Sequence, residues 1–90
     1  MALYDLGYFY DQEEKINKSI KYYNRYLDID PYNQYVWFNL GTVYNKAEKF
    51  DKALDAYEFA FAINDKFYMA LFNIGNTLAN AGKFEEAIAK

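Results

Sequence analysis

The sequence predicts an all-α protein, built as a solenoid of antiparallel helical hairpins that repeat every 34 residues. Three glycines support this prediction because they lie at that constant separation: Gly7, Gly41 and Gly75. An aliphatic residue precedes each glycine, and the apolar positions nearby follow helical rather than strand spacing. A constant period in this range is typical of repeat proteins, in which each unit buries its apolar face mainly against its neighbours.

The first unit, residues 1–33, is predicted to contain two helices that end before a proline. Tyr23 aligns with Tyr57 one repeat later, which places both tyrosines at the same position of the second helix of a hairpin. Asp30 followed by Pro31 ends the first hairpin, since proline does not continue a helix but suits the first turn of the next one.

The second unit, residues 34–67, shows the helical hairpin most clearly. Apolar residues at helical spacing extend from Trp37 to Ala47, and a second amphipathic stretch begins at Phe50 and continues to Phe61. Only a very short segment separates the two stretches. We therefore expect two antiparallel helices joined by a tight turn.

The third unit, residues 68–90, is predicted to be incomplete. Asn64 and Asp65 separate it from the second unit, and Gly82 marks its internal turn because glycine readily adopts the positive φ of a chain reversal. Its second helix would then extend only from about Phe84 to the last residue. We accordingly expect the chain to be a fragment of a longer array.

Each glycine is expected to face a small residue of its partner helix, because a large side chain on either helix would hold the two axes apart. The predicted pairs are Gly7 with Ser19, Gly41 with Ala53, and Gly75 with Ala87. Ser19 leaves two alternatives, namely a looser first hairpin or a hydroxyl that hydrogen-bonds back to its own helix.

Composition excludes several classes of function. A net charge of −3 argues against a nucleic-acid partner, and no apolar run approaches the ~18 residues of a membrane span. The chain has no histidine or cysteine, and Ser19 is its only serine, so the usual nucleophilic triads and thiolate metal sites cannot form. We expect a soluble chain with no catalytic residue, metal site, cofactor, nucleic-acid partner or membrane partner. The compartment stays open, with the cytoplasm favoured.

The recurring residues resemble the tetratricopeptide repeat. In the second unit the residues that match the family pattern are Trp37, Leu40, Gly41, Tyr44, Ala53, Tyr57 and Ala60. The first unit supplies Leu6, Gly7, Tyr10, Tyr23 and Pro31, and the third supplies Ile74, Gly75 and Ala87. Ser19, Tyr26 and Leu78 depart from the pattern. The resemblance implies a right-handed superhelix whose concave groove is lined by the first helix of each unit.

The resemblance also implies which side chains line that groove. They are Tyr4, Tyr8, Tyr35, Phe38, Asn39, Thr42, Asn45, Phe72, Asn73 and Asn76. Asparagine offers a donor and an acceptor to a peptide main chain, and tyrosine and phenylalanine are effective anchors for apolar side chains. The alternative is that these aromatic residues reflect a general bias of a chain that is 22% aromatic.

One familiar subfamily binds acidic C-terminal tails through a carboxylate clamp of basic residues and asparagine. Asn39 matches one clamp asparagine of that subfamily. The other clamp positions are occupied here by Tyr4, Tyr8, Met69 and Asn73. Because Asp5 and Asp11 add negative charge, we expect a neutral, aromatic or mildly basic partner segment instead of an acidic tail.

Two functions follow from these patterns. The first is a non-catalytic scaffold that binds a peptide segment or a short helix of a partner protein in the groove. The alternative is a structural module that forms homo-oligomers, because an incomplete third unit would leave Ile74, Leu78 and Ala81 uncovered at the end of the solenoid.

Overall fold

The described part of the chain folds into five consecutive α-helices. The computed structural model describes the backbone of residues 3–13 and 15–89 and the side chains of residues 6–13 and 15–83. The helices are α1 (Leu3–Gln12), α2 (Ile16–Ile29), α3 (Gln34–Lys46), α4 (Phe50–Ile63) and α5 (Tyr68–Ala89). The predicted all-α fold class is therefore confirmed. The predicted division into units 1–33, 34–67 and 68–90 stays a prediction.

Each helix packs against its neighbours in sequence, so the fold is a stack of layers. Helix α1 packs on α2, α2 on α3, α3 on α4 and α4 on α5, with a smaller contact between α1 and α3. A buried apolar cluster lies between the two hairpins and consists of Tyr23, Leu27, Val36, Leu40 and Val43. The two hairpins are thus held together by an apolar layer shared between α2 and α3.

Local chemistry explains where the helices begin and end. Helix α2 ends at Ile29, shortly before Pro31, as predicted. Asn33 caps α3, because its side-chain Oδ1 accepts hydrogen bonds from the backbone N–H groups of Tyr35 (3.0 Å) and Val36 (3.3 Å). The tight turn between α3 and α4 contains Glu48, whose φ of 60° lies in the left-handed region. A non-glycine residue thus makes the chain reversal.

The glycines of the first two hairpins face tyrosine rings. A Cβ added to Gly7 would lie 2.6 Å from Cδ1 of Tyr23, and a Cβ added to Gly41 would lie 2.7 Å from Cε1 of Tyr57. Both tyrosines are buried in the described structure. The sequence analysis did not predict that these rings lie nearest to the glycines, although Ser19, the predicted partner of Gly7, does contact it. Glycine is required because a planar ring lies directly against the helix backbone.

Ser19 follows neither of the two alternatives considered from the sequence. Its hydroxyl donates a hydrogen bond of 2.7 Å to the carbonyl oxygen of Gly7 in the partner helix. The bond is fully buried, so it joins α1 to α2 at the position where the Tyr23 ring packs. Ser19 thereby links two helices instead of bonding back within its own.

Helix α5 is continuous through Gly82, which corrects the prediction of a turn there and of a second helix from about Phe84. A glycine inside a helix costs only about 1 kcal/mol. Continuing the helix keeps its backbone hydrogen bonds, whereas a turn at Gly82 would interrupt them. A Cβ on Gly75 would meet no atom of the described residues within 4 Å, and the side chain of its predicted partner, Ala87, lies outside them.

Helix α5 is also the longest of the described helices, which raises the question of whether it is apolar enough to cross a membrane. None of the helices that the structure describes, α5 included, combines the length and apolar character needed to cross a lipid bilayer.

The contrast between Gly41 and Gly75 gives a first prediction. Gly41→Ala should lower the free energy of unfolding by about 1–3 kcal/mol, because the new methyl group would overlap the Tyr57 ring. Gly75→Ala should raise it by about 0.5–1 kcal/mol, since alanine is the better helix former and the space is open. Urea unfolding of both variants measures these changes, and equal effects at the two positions would contradict the assigned packing.

Candidate functional site

The predicted groove residues lie on α1, α3 and α5, the first helices of the successive units. On α3 they recur at spacings of three and four residues, which places them on one face of the helix. The residues of this α3 face are Tyr35, Phe38, Asn39, Thr42 and Asn45. The side chain of Tyr4 on α1 lies outside the described residues.

An aromatic cluster forms one end of this surface. The ring of Phe38 lies 5.1 Å from the ring of Phe67 and 5.6 Å from that of Tyr57, measured between centroids. Tyr35 meets Phe67 edge to face at 5.5 Å. Phe38 is consequently half-buried, while Tyr35 remains 59% exposed. The cluster holds Phe38 in place and presents Tyr35 to solvent.

Phe67 is a member of this cluster that the sequence analysis missed. It precedes α5 in the connecting segment, and its backbone N–H donates to the carbonyl oxygen of Asn64 (3.0 Å). The available signal was an aromatic residue directly before the third unit, at a position where the first unit has Asn33.

The Tyr57 hydroxyl connects three helices beneath the groove. It lies 3.0 Å from Oγ1 of Thr42 on α3 and also hydrogen-bonds the side chain of Asn73 on α5. Because the Thr42 hydroxyl donates its own proton to the carbonyl oxygen of Phe38 (3.2 Å), the Tyr57 hydroxyl donates to Thr42. Two of the predicted groove residues, Thr42 and Asn73, thus meet at one buried phenol.

Burial of this phenol changes its acidity. Desolvation raises the pKa of Tyr57 above its ordinary value of 10.0, and the side-chain amide of Asn73, which donates to the phenol oxygen, offsets part of that rise. The neutral phenol is therefore the form that the folded state favours.

An ion pair joins the first two groove helices. Nζ of Lys46 on α3 lies 2.8 Å from Oδ1 of Asp11 on α1, and only 12% of the Asp11 side chain is exposed. Lys46 already compensates the charge of Asp11. Asp11 therefore gives no support to the expectation of a basic partner, and the side chain of Asp5 lies outside the described residues.

The remaining predicted residues differ in how accessible they are. Tyr8, Phe72 and Asn76 are exposed, whereas Asn39 and Asn45 are half-buried. Oδ1 of Asn45 is fully enclosed and has no hydrogen-bond partner among the described residues. Tyr8 makes no ring pair or hydrogen bond with another described groove residue. The described groove residues of α3 and α5 are thus connected to each other by hydrogen bonds through Tyr57, whereas Tyr8 is not connected to them.

A hollow of about 410 Å³ continues the surface toward the other end of α3 and α5. Its described lining is Asn45, Lys46, Glu48, Phe50, Asn80 and Lys83. One end of the surface is therefore aromatic, and the other is polar and carries charges of both signs.

The buried phenol predicts a specific pH dependence. Tyr57→Phe should lower the free energy of unfolding by about 0.5–1.5 kcal/mol at neutral pH through the lost hydrogen bonds. Since the folded state keeps the proton at a pH where the unfolded state loses it, the Tyr57 contribution is present below pH 10.0 and declines above it. Urea unfolding at a series of pH values should show that the difference in free energy of unfolding between the parent chain and Tyr57→Phe becomes smaller as the pH rises above 10.0. A constant gap would contradict the assignment.

Comparison with known families agrees with this arrangement of hairpins. Two family models match the chain, both described as tetratricopeptide repeat, one over residues 2–33 and the other over residues 35–67. These segments correspond to the hairpins α1–α2 and α3–α4. No curated protein matches the chain. The phased glycines, the paired helices and the two matched repeats lead to one conclusion: the chain belongs to the tetratricopeptide repeat family.

Proposed function

We propose that this chain is a non-catalytic interaction module that binds a peptide segment or a short helix of a partner protein along α1, α3 and α5. Repeats of this family generally mediate protein–protein interactions. The observation that carries the proposal is the aromatic cluster around Phe67, which holds Phe38 and Tyr35 on the face of α3 predicted to line the groove.

Rigidity and exposure together support a binding role for this cluster. Tyr35 is 59% exposed although its ring meets Phe67 edge to face, and Phe72, which is outside this cluster on α5, is 70% exposed. An aromatic ring that is held in place and still exposed loses little conformational entropy when a ligand covers it. These properties are typical of the residues that contribute most binding energy at protein interfaces.

The polar residues support recognition of a main chain. Asn76 is exposed on α5 and offers both a donor and an acceptor to a peptide backbone. Thr42 and Asn73 also have a structural role, because their side chains hydrogen-bond with the Tyr57 hydroxyl. With Asp11 paired to Lys46, a neutral segment with aromatic or aliphatic side chains is the partner that fits best.

A peptide selected from a random library displayed on phage, with this chain as the target, provides the probe. Tyr35→Ser combined with Phe72→Ser should weaken binding of the selected peptide by about tenfold or more, because both rings are proposed anchors. Isothermal titration calorimetry measures the affinity.

The matched control combines Phe9→Ser with Ile29→Ser, which removes two exposed apolar side chains outside the proposed groove. The control should bind the peptide as the parent chain does. If the groove pair bound equally well, or if both pairs weakened binding to the same extent, the proposed groove would be refuted.

Self-assembly is the second candidate function, and helix α5 favours it. No charged residue occurs between Lys66 and Lys83, and five large apolar side chains of α5 are at least half exposed: Tyr68, Met69, Leu71, Phe72 and Leu78. Gly75, unlike Gly7 and Gly41, has no ring of a described residue against it. We infer that a second copy of the chain could cover this face and produce a homo-oligomer through the end of the solenoid.

Light scattering coupled to gel filtration separates the two candidates. Self-assembly predicts a dimer mass at high concentration, and Leu71→Glu combined with Leu78→Glu should return the mass to that of a monomer by placing charge on the uncovered face. A parent chain that stays monomeric at every concentration would contradict self-assembly and leave peptide binding as the proposed function.

A further inference from the structure

We propose a second protein-binding site, separate from the groove, in a cleft between α4 and the segment that joins α2 to α3. Its ligand would be an extended segment of a partner protein in which a large apolar side chain lies two residues from an arginine or lysine. The proposal is independent of groove binding and would hold even if the groove bound nothing.

The apolar half of the cleft has a fixed floor. The indole Nε1 of Trp37 donates a hydrogen bond of 2.7 Å to the carbonyl oxygen of Pro31, and its ring stacks on Phe59 with centroids 4.6 Å apart. Both contacts hold the indole in one orientation. The floor of the cleft is thus determined before any ligand arrives, which lowers the entropic cost of binding.

The apolar half is large enough for one side chain and remains open. It encloses about 440 Å³, and its described lining is Pro31, Tyr32, Trp37, Phe59, Ala62 and Ile63. Tyr32 and Phe59 are 78% and 53% exposed, although both are aromatic. A phenylalanine, leucine or similar side chain of a ligand would cover these surfaces.

The second half of the cleft is acidic. An adjoining hollow of about 370 Å³ shares Phe59 and Ala62 with the first and is bounded by Asp55 and Glu58. Neither carboxylate forms an ion pair with a described residue. Lys52, one turn from Asp55 on the same helix, directs its Nζ toward the ring of Tyr44 (5.8 Å to the centroid).

Charge complementarity therefore determines the ligand. The described lining of the two hollows includes two carboxylates and no lysine or arginine, so a cationic side chain would be attracted to the Asp55 end. Asp55 and Phe59 are one helical turn apart, about 6 Å along the axis. An extended peptide covers that distance in about two residues, which gives the spacing of the apolar and basic side chains.

Trp37 makes the site directly measurable, because it is the only tryptophan of the chain. The probe is the peptide acetyl-Ala-Phe-Ala-Arg-Ala-amide, titrated while the indole fluorescence is recorded. The fluorescence should change in a saturable way. Replacing arginine by glutamate in the peptide should weaken binding by about tenfold or more, because the carboxylates would then repel the ligand.

Variants of the chain test the position of the site. Asp55→Asn with Glu58→Gln should weaken binding of the arginine peptide by about tenfold. The matched control, Asp51→Asn with Asp65→Asn, changes the net charge equally but leaves the cleft intact, so its affinity should equal that of the parent chain. The groove pair Tyr35→Ser with Phe72→Ser should also leave the fluorescence titration unchanged.

Three results of the peptide titrations and the cleft variants would overturn the proposal. They are the lack of a saturable change in fluorescence, equal binding of the arginine and glutamate peptides, and equal weakening by the cleft pair and its charge-matched control. Loss of the signal in the groove pair would likewise place the peptide in the groove and refute a second site.

Discussion

The contact between a tyrosine ring and a glycine backbone holds each of the first two hairpins closed. Tyr23 packs on Gly7 and Tyr57 packs on Gly41, each at a distance that a Cβ atom would make impossible without a shift of the ring. Because one residue in each hairpin is glycine and has no side chain, a large ring can fill the space between the two helices. The contact buries apolar surface and brings the axes close together, so it determines how each helical pair is oriented.

Further features of the surface depend on this contact. Because the Tyr57 ring lies against Gly41, its hydroxyl reaches Thr42 and the side chain of Asn73 and links α4 to both α3 and α5. The same ring packs on Phe38, which supports the aromatic cluster at the end of the proposed groove. Within the part of the chain that the structure describes, helix α5 has no equivalent contact at Gly75, and its apolar face is exposed there. The ring is accompanied by packed side chains beside Gly41, whereas the described apolar side chains of α5 near Gly75 remain exposed.

The sequence predicted the repeat, the first four helices and the helix end before Pro31, because these depend on apolar spacing and on local backbone preferences. It did not predict which residue faces Gly41, since Ala53 and Tyr57 lie one turn apart on α4 and the choice depends on how the helix rotates against its partner. The predicted turn at Gly82 was wrong because glycine permits a chain reversal without requiring one.

For the site, the α3 face follows from helical periodicity. The contacts of the Phe67 ring and the Lys46–Asp11 ion pair join segments that only the tertiary structure brings together, so the sequence did not predict them.

A double-mutant cycle between Gly41→Ala and Tyr57→Leu tests the central contact most directly. Urea unfolding of the parent chain, the two single variants and the double variant gives the coupling free energy between the two positions. If the ring on the glycine backbone orients the hairpin, the alanine methyl group should be harmful only while the ring is present, and the coupling should exceed about 1 kcal/mol. Single effects that add to within about 0.5 kcal/mol would show that the two residues act independently and would contradict the account.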